Sequence, residues 1–355
     1  MTSVEGAELR PGYSVSRWIH GGWQLSAGHR PDPVERGGAV DGLVRLAEAG
    51  LTTFDCADIY TGVEELYGEV LRRFGPRRRD QIQIHTKFVP DLGALGSLDR
   101  GYVTSVIDRS LRRLGTDRLD LVQFHWWDFE IPGWADAAGW LDDLRTAGKI
   151  RHLAVTNFDV PRLRALLDGG LDIVAHQLQY SLLDRRPEHG MAELCAARNV
   201  HLLCYGSLAG GFLTDRWVGR DAPEEPLGNR SLVKYRLIID EAGGWVHHRH
   251  LLEVLSEIAR RHGATVAQVA ARWVLDRPGV AAVVVGTRGA RDPADALRTF
   301  ELRLNGEDLA ALAAAVGASP RGDIYHLERI PGGRHAVIMK TGLNRPAGTA
   351  AERSK

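Results

Sequence analysis

Four ionisable residues of this chain end or follow short apolar runs, and their types suit proton transfer. Asp55 ends the run LTTFD and Tyr60 lies five positions beyond it, Lys87 closes the run IQIHTK, and His125 ends LDLVQFH. Lysine is rare here, with five lysines against 40 arginines. A buried lysine can shift its own pKa or that of a neighbour, whereas an arginine stays charged, so a lysine at position 87 indicates a chemical role.

The chemistry that these four side chains support is delivery of a proton to a carbonyl oxygen. A phenol with a pKa of about 10 is a weak acid near neutrality, and an adjacent ammonium such as that of Lys87 would lower the pKa of Tyr60. Asp55 would pair with Lys87, and a neutral His125 would donate a hydrogen bond to the substrate oxygen. None of the four residues supplies electrons, so an organic cofactor has to bring hydride.

Taken singly, each of the four residues also has an ordinary structural explanation. Lys87 could be a solvated lysine at the end of a strand, Asp55 a turn cap, Tyr60 a packing residue and His125 a buried core histidine. The chemical interpretation therefore requires a fold that brings all four side chains to one place.

Short β-branched runs alternate with amphipathic segments along the chain. After an opening stretch near Ile19 and Trp23, the strand candidates are 51–56, 82–88, 119–125, 152–157, 173–179, 201–205 and 281–286. Helical patterns lie between them, and several end at a glycine, as helix C-termini favour: Gly50, Gly115, Gly148 and Gly263. Eight strands alternating with helices predict an α/β protein of one domain, a (β/α)8 TIM barrel, whose active site gathers residues from the C-terminal ends of the strands. A doubly wound sheet is the alternative, but no G-x-G-x-x-G phosphate loop follows the first strand.

Two regions interrupt this alternation. Residues 206–247, after the seventh strand, are rich in Gly, Pro and charge and predict a long functional loop. Residues 318–355 form a Gly/Pro/Arg-rich tail, in which Tyr325, His326 and Arg329 could fold back across the barrel. We expect a barrel domain over 1–343 and a disordered tail over 344–355.

Bulk composition narrows the possible partners and the compartment. The formal net charge is zero, so nucleic acid and anionic membranes are not expected partners. The longest apolar runs are too short for a membrane span, and the N-terminus has no signal-peptide pattern. Three scattered cysteines suit a reducing compartment and give no metal-ligand spacing, so we expect a cytoplasmic protein without a metal. The oligomeric state is left open.

The motifs around these residues resemble those of the aldo-keto reductases. TTFDCADIY is similar to the family's Asp-to-Tyr motif, IQIHTK to its lysine strand, and SLRRLGTDRLDLVQFHWWD to the helix and strand that carry its catalytic His. The resemblance runs from about Ile19 to Leu312. It implies a (β/α)8 barrel, an NADPH cofactor bound without a Rossmann domain, and a catalytic tetrad of Asp55, Tyr60, Lys87 and His125 with Tyr60 as the general acid.

The resemblance extends to the cofactor site. HLAVTNF, AHQLQYS and CYGSLAGGFL are similar to the family's fifth, sixth and seventh strands, and they would place Tyr205 under the nicotinamide. The implied cofactor residues are Gly22, Trp23, Thr156, Asn157, Gln177, Tyr205, Gly206, Ser207, Leu208, Gly210, Gly286, Thr287, Arg288 and Arg291. Arg288 and Arg291 would take the 2′-phosphate of NADPH, but the acidic Asp292 would oppose it, so NADH is possible too.

The substrate side is expected to be aromatic. Trp23, Trp126 and Trp127, together with Tyr60 and His125, should line the mouth. Such flat walls favour an aromatic, aliphatic or polyketide-like carbonyl and can also stack a sugar face. Two other functions stay open from the residues alone: a regulatory or auxiliary barrel that binds NADPH with little turnover, and a lyase or isomerase that uses Lys87 as a Schiff-base amine.

Overall fold

The computed structural model describes residues 4–27, 29, 35–286 and 292–344. The strands are β1 (Gly6–Arg10), β2 (Tyr13–Ser16), β3 (Trp18–Gly21), β4 (Thr53–Asp55), β5 (Gln83–Phe88), β6 (Leu119–Phe124), β7 (Ile150–Thr156), β8 (Ile173–Gln179), β9 (His201–Tyr205) and β10 (Val280–Gly286). The α-helices are α1 (Arg36–Glu48), α2 (Val63–Phe74), α3 (Arg100–Leu114), α4 (Trp134–Thr146), α5 (Val160–Asp168), α6 (Met191–Ala197), α7 (Arg230–Glu241), α8 (Gly244–His262), α9 (Val266–Leu275), α10 (Pro293–Glu301), α11 (Gly306–Ala315) and α12 (His326–Arg329).

Strands β3 to β10 close into a parallel barrel, which confirms the predicted fold. β10 pairs with β9 on one side and with β3 on the other, so this sheet has no free edge, and the doubly wound alternative is wrong. Each predicted barrel strand is present, with its ends shifted by a few residues. The strands are almost entirely buried, because one face fills the barrel and the other packs under the helices.

Helix ends follow the glycine signals in the sequence. α3 begins after Asp99, whose side chain accepts a hydrogen bond from the Tyr102 backbone N–H, and it ends at Gly115 with a φ of 66°. α8 ends at Gly263 with a φ of 61°. Only glycine adopts such left-handed conformations without strain, so these positions fix where each chain segment turns back toward the barrel.

A hairpin that the sequence pattern did not predict closes one end of the barrel. β1 and β2 pair antiparallel, and Leu9, Tyr13 and Val15 join the apolar cluster inside the barrel. The Tyr13 hydroxyl lies 3.0 Å from Nε2 of His85, and Arg10 binds Asp172 and the Ile173 carbonyl near the start of β8. The hairpin covers the end of the barrel where the strands begin, and the opposite end, where the strands finish, is left for a site.

The two irregular regions are more structured than predicted. Residues 206–247 contain α7, which begins after Asn229, whose side chain accepts from the Leu232 backbone N–H. The C-terminal segment crosses the barrel mouth, as expected. Its last described residue, Asn344, is buried, and its side-chain amide donates hydrogen bonds to the Asp58 carboxylate and the Val89 carbonyl. Asn344 is the first residue of the expected tail, and 345–355 lie outside the described residues.

Candidate active site

A cavity of about 340 Å³ opens at the C-terminal ends of the barrel strands. Strand β4 brings Asp55 to it, β5 brings Lys87, and His125 follows β6 directly. Tyr60 comes from the loop after β4. Most residues implicated by the sequence line this cavity: Trp23, Asp55, Tyr60, Lys87, His125, Trp127, Thr156, Asn157, Gln177, Tyr205, Gly206, Ser207, Leu208, Gly210 and Gly286.

Two predicted site residues lie elsewhere. Trp126 is fully buried in the core, where its indole N–H donates to the carbonyls of Asp128 and Ile131, so its assignment to the substrate wall is wrong. Gly22 sits behind the cavity wall, because a Cβ there would meet the Tyr67 hydroxyl at 2.7 Å. Its role is close packing of the backbone, and the wall residue at that point is Gly21. Thr287, Arg288 and Arg291 lie outside the described residues.

The expected ion pair between Asp55 and Lys87 is present and deeply buried. Lys87 Nζ donates to Asp55 Oδ2 at 2.6 Å and to the Cys56 carbonyl at 2.8 Å. The two side chains are 6% and 4% exposed. Asp55 Oδ1 accepts from the amide groups of Gln123 and Gln177, each at 2.7 Å. Three donors from three different strands thus fix the carboxylate. The sequence pattern did not indicate Gln123, and it implied only a cofactor contact for Gln177.

The phenol of Tyr60 is next to this pair, with Lys87 Nζ 5.3 Å from its ring centroid. Burial and then the charge of Asp55 raise the pKa of Tyr60 well above its usual value of 10. The pKa of Tyr60 is therefore raised overall, whereas the sequence predicted that Lys87 would lower it. Burial of the phenol is the largest cause of the rise, and the nearby ammonium of Lys87 is paired with Asp55 at 2.6 Å. Tyr60 stays protonated at neutral pH.

His125 is neutral, as expected, because burial and then the charge of Arg329 lower its pKa to about 3. Its Nδ1 lies 3.3 Å from the Thr156 carbonyl. A carbonyl only accepts, so the neutral ring carries its proton on Nδ1 and presents a lone pair at Nε2. In this tautomer Nε2 accepts a hydrogen bond from an alcohol, and it donates to a carbonyl only after the proton moves or the ring turns.

A turn after β9 forms the opposite wall. Tyr205 ends β9, and its hydroxyl donates to Asn157 Oδ1 at 2.8 Å. Gly206 and Gly210 follow with φ values of 75° and 65°, and a Cβ at either would meet Tyr235 of α7 at 2.7 and 2.6 Å. Only glycine fits between this turn and α7, so backbone N–H groups can approach an anionic ligand closely.

The C-terminal segment completes the mouth. Tyr325 stands edge-on to His125 with ring centroids 5.5 Å apart. Arg329 donates to the carbonyls of Trp126, Trp127 and Asn157 at 2.9, 3.0 and 2.8 Å. One guanidinium therefore ties the segments that follow β6 and β7 to the C-terminal segment, on either side of the histidine.

Basic residues of α7 were not predicted as site residues. Lys234 lies over the rings of Tyr205 and Tyr325 at 4.9 and 5.6 Å and 3.8 Å from Glu328. Burial alone would raise the pKa of Glu328, but Arg186 and Lys234 outweigh it and hold that pKa at about 2. The spacing of Arg230 and Lys234, one helical turn apart in NRSLVKYR, was the available signal, but the segment was interpreted as a loop.

The start of α10 bears on cofactor choice. Asp292, expected to repel a 2′-phosphate, accepts a hydrogen bond from the Ala294 backbone N–H at 2.9 Å and caps the helix. A helix N-cap explains an acidic residue at this position without any role in cofactor discrimination.

The barrel, the cavity at its strand ends and the grouped Asp, Tyr, Lys and His agree with what the sequence motifs implied. A model of the aldo/keto reductase family matches residues 18–316. The chain belongs to the aldo/keto reductase family. Family members are oxidoreductases that act on small carbonyl compounds, and their cofactor is NADPH.

Individual relatives match over most of their length. A probable aldo-keto reductase 1 from Glycine max is 27% identical over 321 residues, which cover 88% of each chain. The aldo-keto reductase yakc [NADP(+)] of Schizosaccharomyces pombe is 28% identical over 274 residues, 74% of this chain and 77% of that one. The crystal structure of a thermostable aldo-keto reductase, Tm1743, in complex with the inhibitor epalrestat aligns with a TM-score of 0.69 at 26% identity, covering 88% of this chain and 99% of that one.

The described ranges hold neither a candidate membrane span nor a candidate metal site. No helix in this part of the chain is long and apolar enough to cross a membrane. The described His, Cys, Asp and Glu side chains form no group of three or more that could hold a metal ion.

Proposed function

We propose that this member of the family reduces an aldehyde or ketone to an alcohol, or catalyses the reverse oxidation, with hydride from NADPH and the proton from Tyr60. The proposal depends on one observation. The same cavity is lined by Asp55, Tyr60, Lys87 and His125. The buried Lys87–Asp55 pair places an ammonium beside a phenol that is protonated at neutral pH.

In this proposal Tyr60 is the general acid and the other three residues support it. As negative charge develops on the substrate oxygen, Tyr60 transfers its proton to that oxygen, and the Lys87 ammonium stabilises the phenolate that remains. Asp55 holds the ammonium in place. His125 contacts the same oxygen and, with its proton on Nδ1, accepts a hydrogen bond from the alcohol hydroxyl.

The cavity residues fit the expected cofactor. Nicotinamide supplies hydride, which the protein side chains cannot. Tyr205 offers a flat ring, with Asn157 and Gln177 nearby as amide partners, and the Gly206–Gly210 turn offers backbone N–H groups. A Cβ at Gly206 or Gly210 would meet Tyr235 at 2.7 or 2.6 Å, so side chains are excluded there and the backbone of the turn lies bare at the cavity wall.

An aromatic wall supports a flat, largely apolar substrate. The Trp23 ring is 5.0 Å from that of Tyr60, and the Trp127 ring stands edge-on to His125 at 4.4 Å. Tyr325 faces the same histidine. We therefore propose aromatic aldehydes and ketones as the preferred substrate class.

The deciding experiment is steady-state NADPH oxidation with a panel of aromatic and aliphatic aldehydes. An enzyme should turn over at least one of them, and Tyr60→Phe should lower turnover while NADPH still binds. Tyr102→Phe is the matched control, because Tyr102 packs on Phe88 outside the cavity. NADPH binding without turnover on any aldehyde or ketone would contradict the proposal and favour a cofactor-binding regulatory barrel.

A further inference from the structure

One side chain of the C-terminal segment contacts both of the chain segments that carry the proton-transfer groups. The amide nitrogen of Asn344, Nδ2, donates to Asp58 Oδ2 at 2.9 Å and also to the Val89 carbonyl. Asp58 lies two residues before Tyr60 in the loop after β4. Val89 lies two residues after Lys87, at the end of β5. A single buried amide group therefore joins the loop of the phenol to the strand of the ammonium.

Asp58 is also attached directly to the strand that carries Lys87. Its carboxylate accepts from the Val89 backbone N–H at 3.2 and 3.3 Å, and its own backbone N–H donates to the Lys87 carbonyl at 3.3 Å. The Asp58 side chain is 0% exposed, so water does not compete for these bonds. Both backbone polar groups of Val89 are thus held, the N–H by Asp58 and the carbonyl by Asn344.

The position of Asp58 determines that of Tyr60, because the two residues share one tight turn. The Tyr60 backbone N–H donates to the Ala57 carbonyl at 2.9 Å, and the Val63 N–H donates to the Tyr60 carbonyl at 3.0 Å. A displacement of Asp58 is therefore passed on to Tyr60. The ring of Tyr60 lies 5.3 Å from the Lys87 ammonium, so such a displacement changes the spacing of the two groups.

Other bonds hold this end of the segment independently of the Asn344 amide nitrogen. The Asn344 backbone N–H donates to Asp91 Oδ1 at 2.8 Å, and the Leu92 N–H donates to the Thr341 carbonyl at 2.7 Å. The side-chain oxygen of Asn344 accepts from Arg109 of α3, which orients the amide. The bonds to Asp91 and Leu92 use backbone atoms of the segment, so they remain when the side chain of Asn344 is removed.

We infer that Asn344 is a positioning residue for the transfer of the proton to the substrate. By joining the loop after β4 to the end of β5, it fixes the distance between the Tyr60 phenol and the Lys87 ammonium. Asn344 does not line the cavity, so it acts through Asp58 and Val89. The inference rests on the proposed function, because it gives Asn344 a part in the same proton transfer.

The test measures the single-turnover oxidation of NADPH by an aromatic aldehyde, the KM of the aldehyde and the dissociation constant of NADPH. Asn344→Ala removes the joining amide and keeps the backbone bond to Asp91. We expect the single-turnover rate to fall about 10–100-fold, because a misplaced proton donor slows the chemical step. The KM and the affinity for NADPH should change by less than about twofold, because the lost contacts act on the transition state.

A double-mutant cycle determines whether Asn344 acts through Asp58. Asp58→Ala should slow the single turnover at least as much as Asn344→Ala does. The double variant should be no slower than Asp58→Ala, because both changes break the same connection. Asp58→Asn should retain most of the rate, because Oδ2 alone accepts from both Asn344 and Val89 and an amide oxygen can take its place.

Asn305→Ala is the matched control for a general loss of stability. The side chain of Asn305 accepts from the Asp308 backbone N–H at 2.9 Å and caps α11, and Asn305 does not line the cavity. Its removal should lower the melting temperature, as loss of a helix cap does, and leave the single-turnover rate unchanged. An equal slowing in Asn305→Ala would contradict a specific role for Asn344.

Three further results would overturn the inference. An unchanged single-turnover rate in Asn344→Ala would remove it. A loss confined to the KM of the aldehyde would assign Asn344 to the shape of the substrate wall, and losses that add in the double variant would show that it does not act through Asp58. If the unaltered protein oxidised NADPH with no carbonyl compound, the proposed function would fail and the inference with it, whereas failure of the inference alone leaves turnover by the unaltered protein intact.

Discussion

Removing Lys87 should show how much stability the protein loses when Asp55 stays buried without a counter-charge. In Lys87→Met, Asp55 stays 3% exposed and keeps the two glutamine donors, but it loses its counter-charge at 2.6 Å. Breaking a buried pair by removing one partner costs about 3–5 kcal/mol, mostly because the remaining charge is uncompensated. We expect a loss of that size in the free energy of unfolding at pH 8.

A second substitution identifies the cause of the loss. Adding Asp55→Asn should recover about half or more of it, because the buried charge is then absent from both partners. Urea unfolding followed by circular dichroism at pH 8 measures all four corners of the double-mutant cycle.

The chain offers a matched control on its surface. Lys149 and Asp108 form a similar pair at 2.5 Å, but their side chains are 37% and 34% exposed. Lys149→Met should cost less than about 1 kcal/mol, because water screens and replaces an exposed pair. The reasoning would be refuted if Lys87→Met cost no more than Lys149→Met, or if Asp55→Asn left its cost unchanged.

Two further variants test the surroundings of the site. Arg329→Met removes donors to the carbonyls of Trp126, Trp127 and Asn157 and takes away a charge that lowers the pKa of His125. We expect Arg329→Met to lower turnover and to raise the pKa of His125 in an NMR titration, whereas Arg329→Lys should keep that pKa low. An unchanged His125 pKa in Arg329→Met would contradict the claim that the charge of Arg329 lowers it. Burial and then the charge of Glu64 raise the pKa of Asp58 to about 7, above its usual value. Between about pH 4 and 7 the folded protein therefore keeps a proton on Asp58 that the unfolded chain releases. The free energy of unfolding should fall as the pH rises through this range. Asp58→Asn should remove this slope, which amounts to at most about 4 kcal/mol; equal pH profiles of the melting temperature in both proteins would contradict it.

The strand-end rule explains why the tetrad could be predicted and why Trp126 could not. Asp55 and Lys87 are the last or nearly the last residues of barrel strands, where a parallel barrel always opens its site. Trp126 was predicted to line the mouth because it follows His125 directly. Neighbouring residues in an extended chain point to opposite sides, so the indole of Trp126 points away from the cavity and into the core.

Other features depend on contacts between distant segments. The pKa of Tyr60 was predicted to fall because an argument from Lys87 alone left out the burial of the phenol and the charge of Asp55, which raise it. Helix α7 begins in a region rich in Gly and Pro, and its residues Arg230 and Lys234 reach the cavity because the helix packs on the glycine turn after β9. Contacts between segments that are distant in sequence depend on tertiary packing, and the local sequence pattern gives little indication of them.

The central claim is that Tyr60 gives the proton in carbonyl reduction, and single-turnover kinetics test it most directly. The enzyme is saturated with NADPH and mixed with an aromatic aldehyde in a stopped-flow instrument, and loss of NADPH absorbance is followed for the unaltered protein and for Tyr60→Phe. The account predicts that the variant binds NADPH with unchanged affinity and oxidises it about 10²–10⁴-fold more slowly. An unchanged rate of NADPH oxidation in Tyr60→Phe would contradict it.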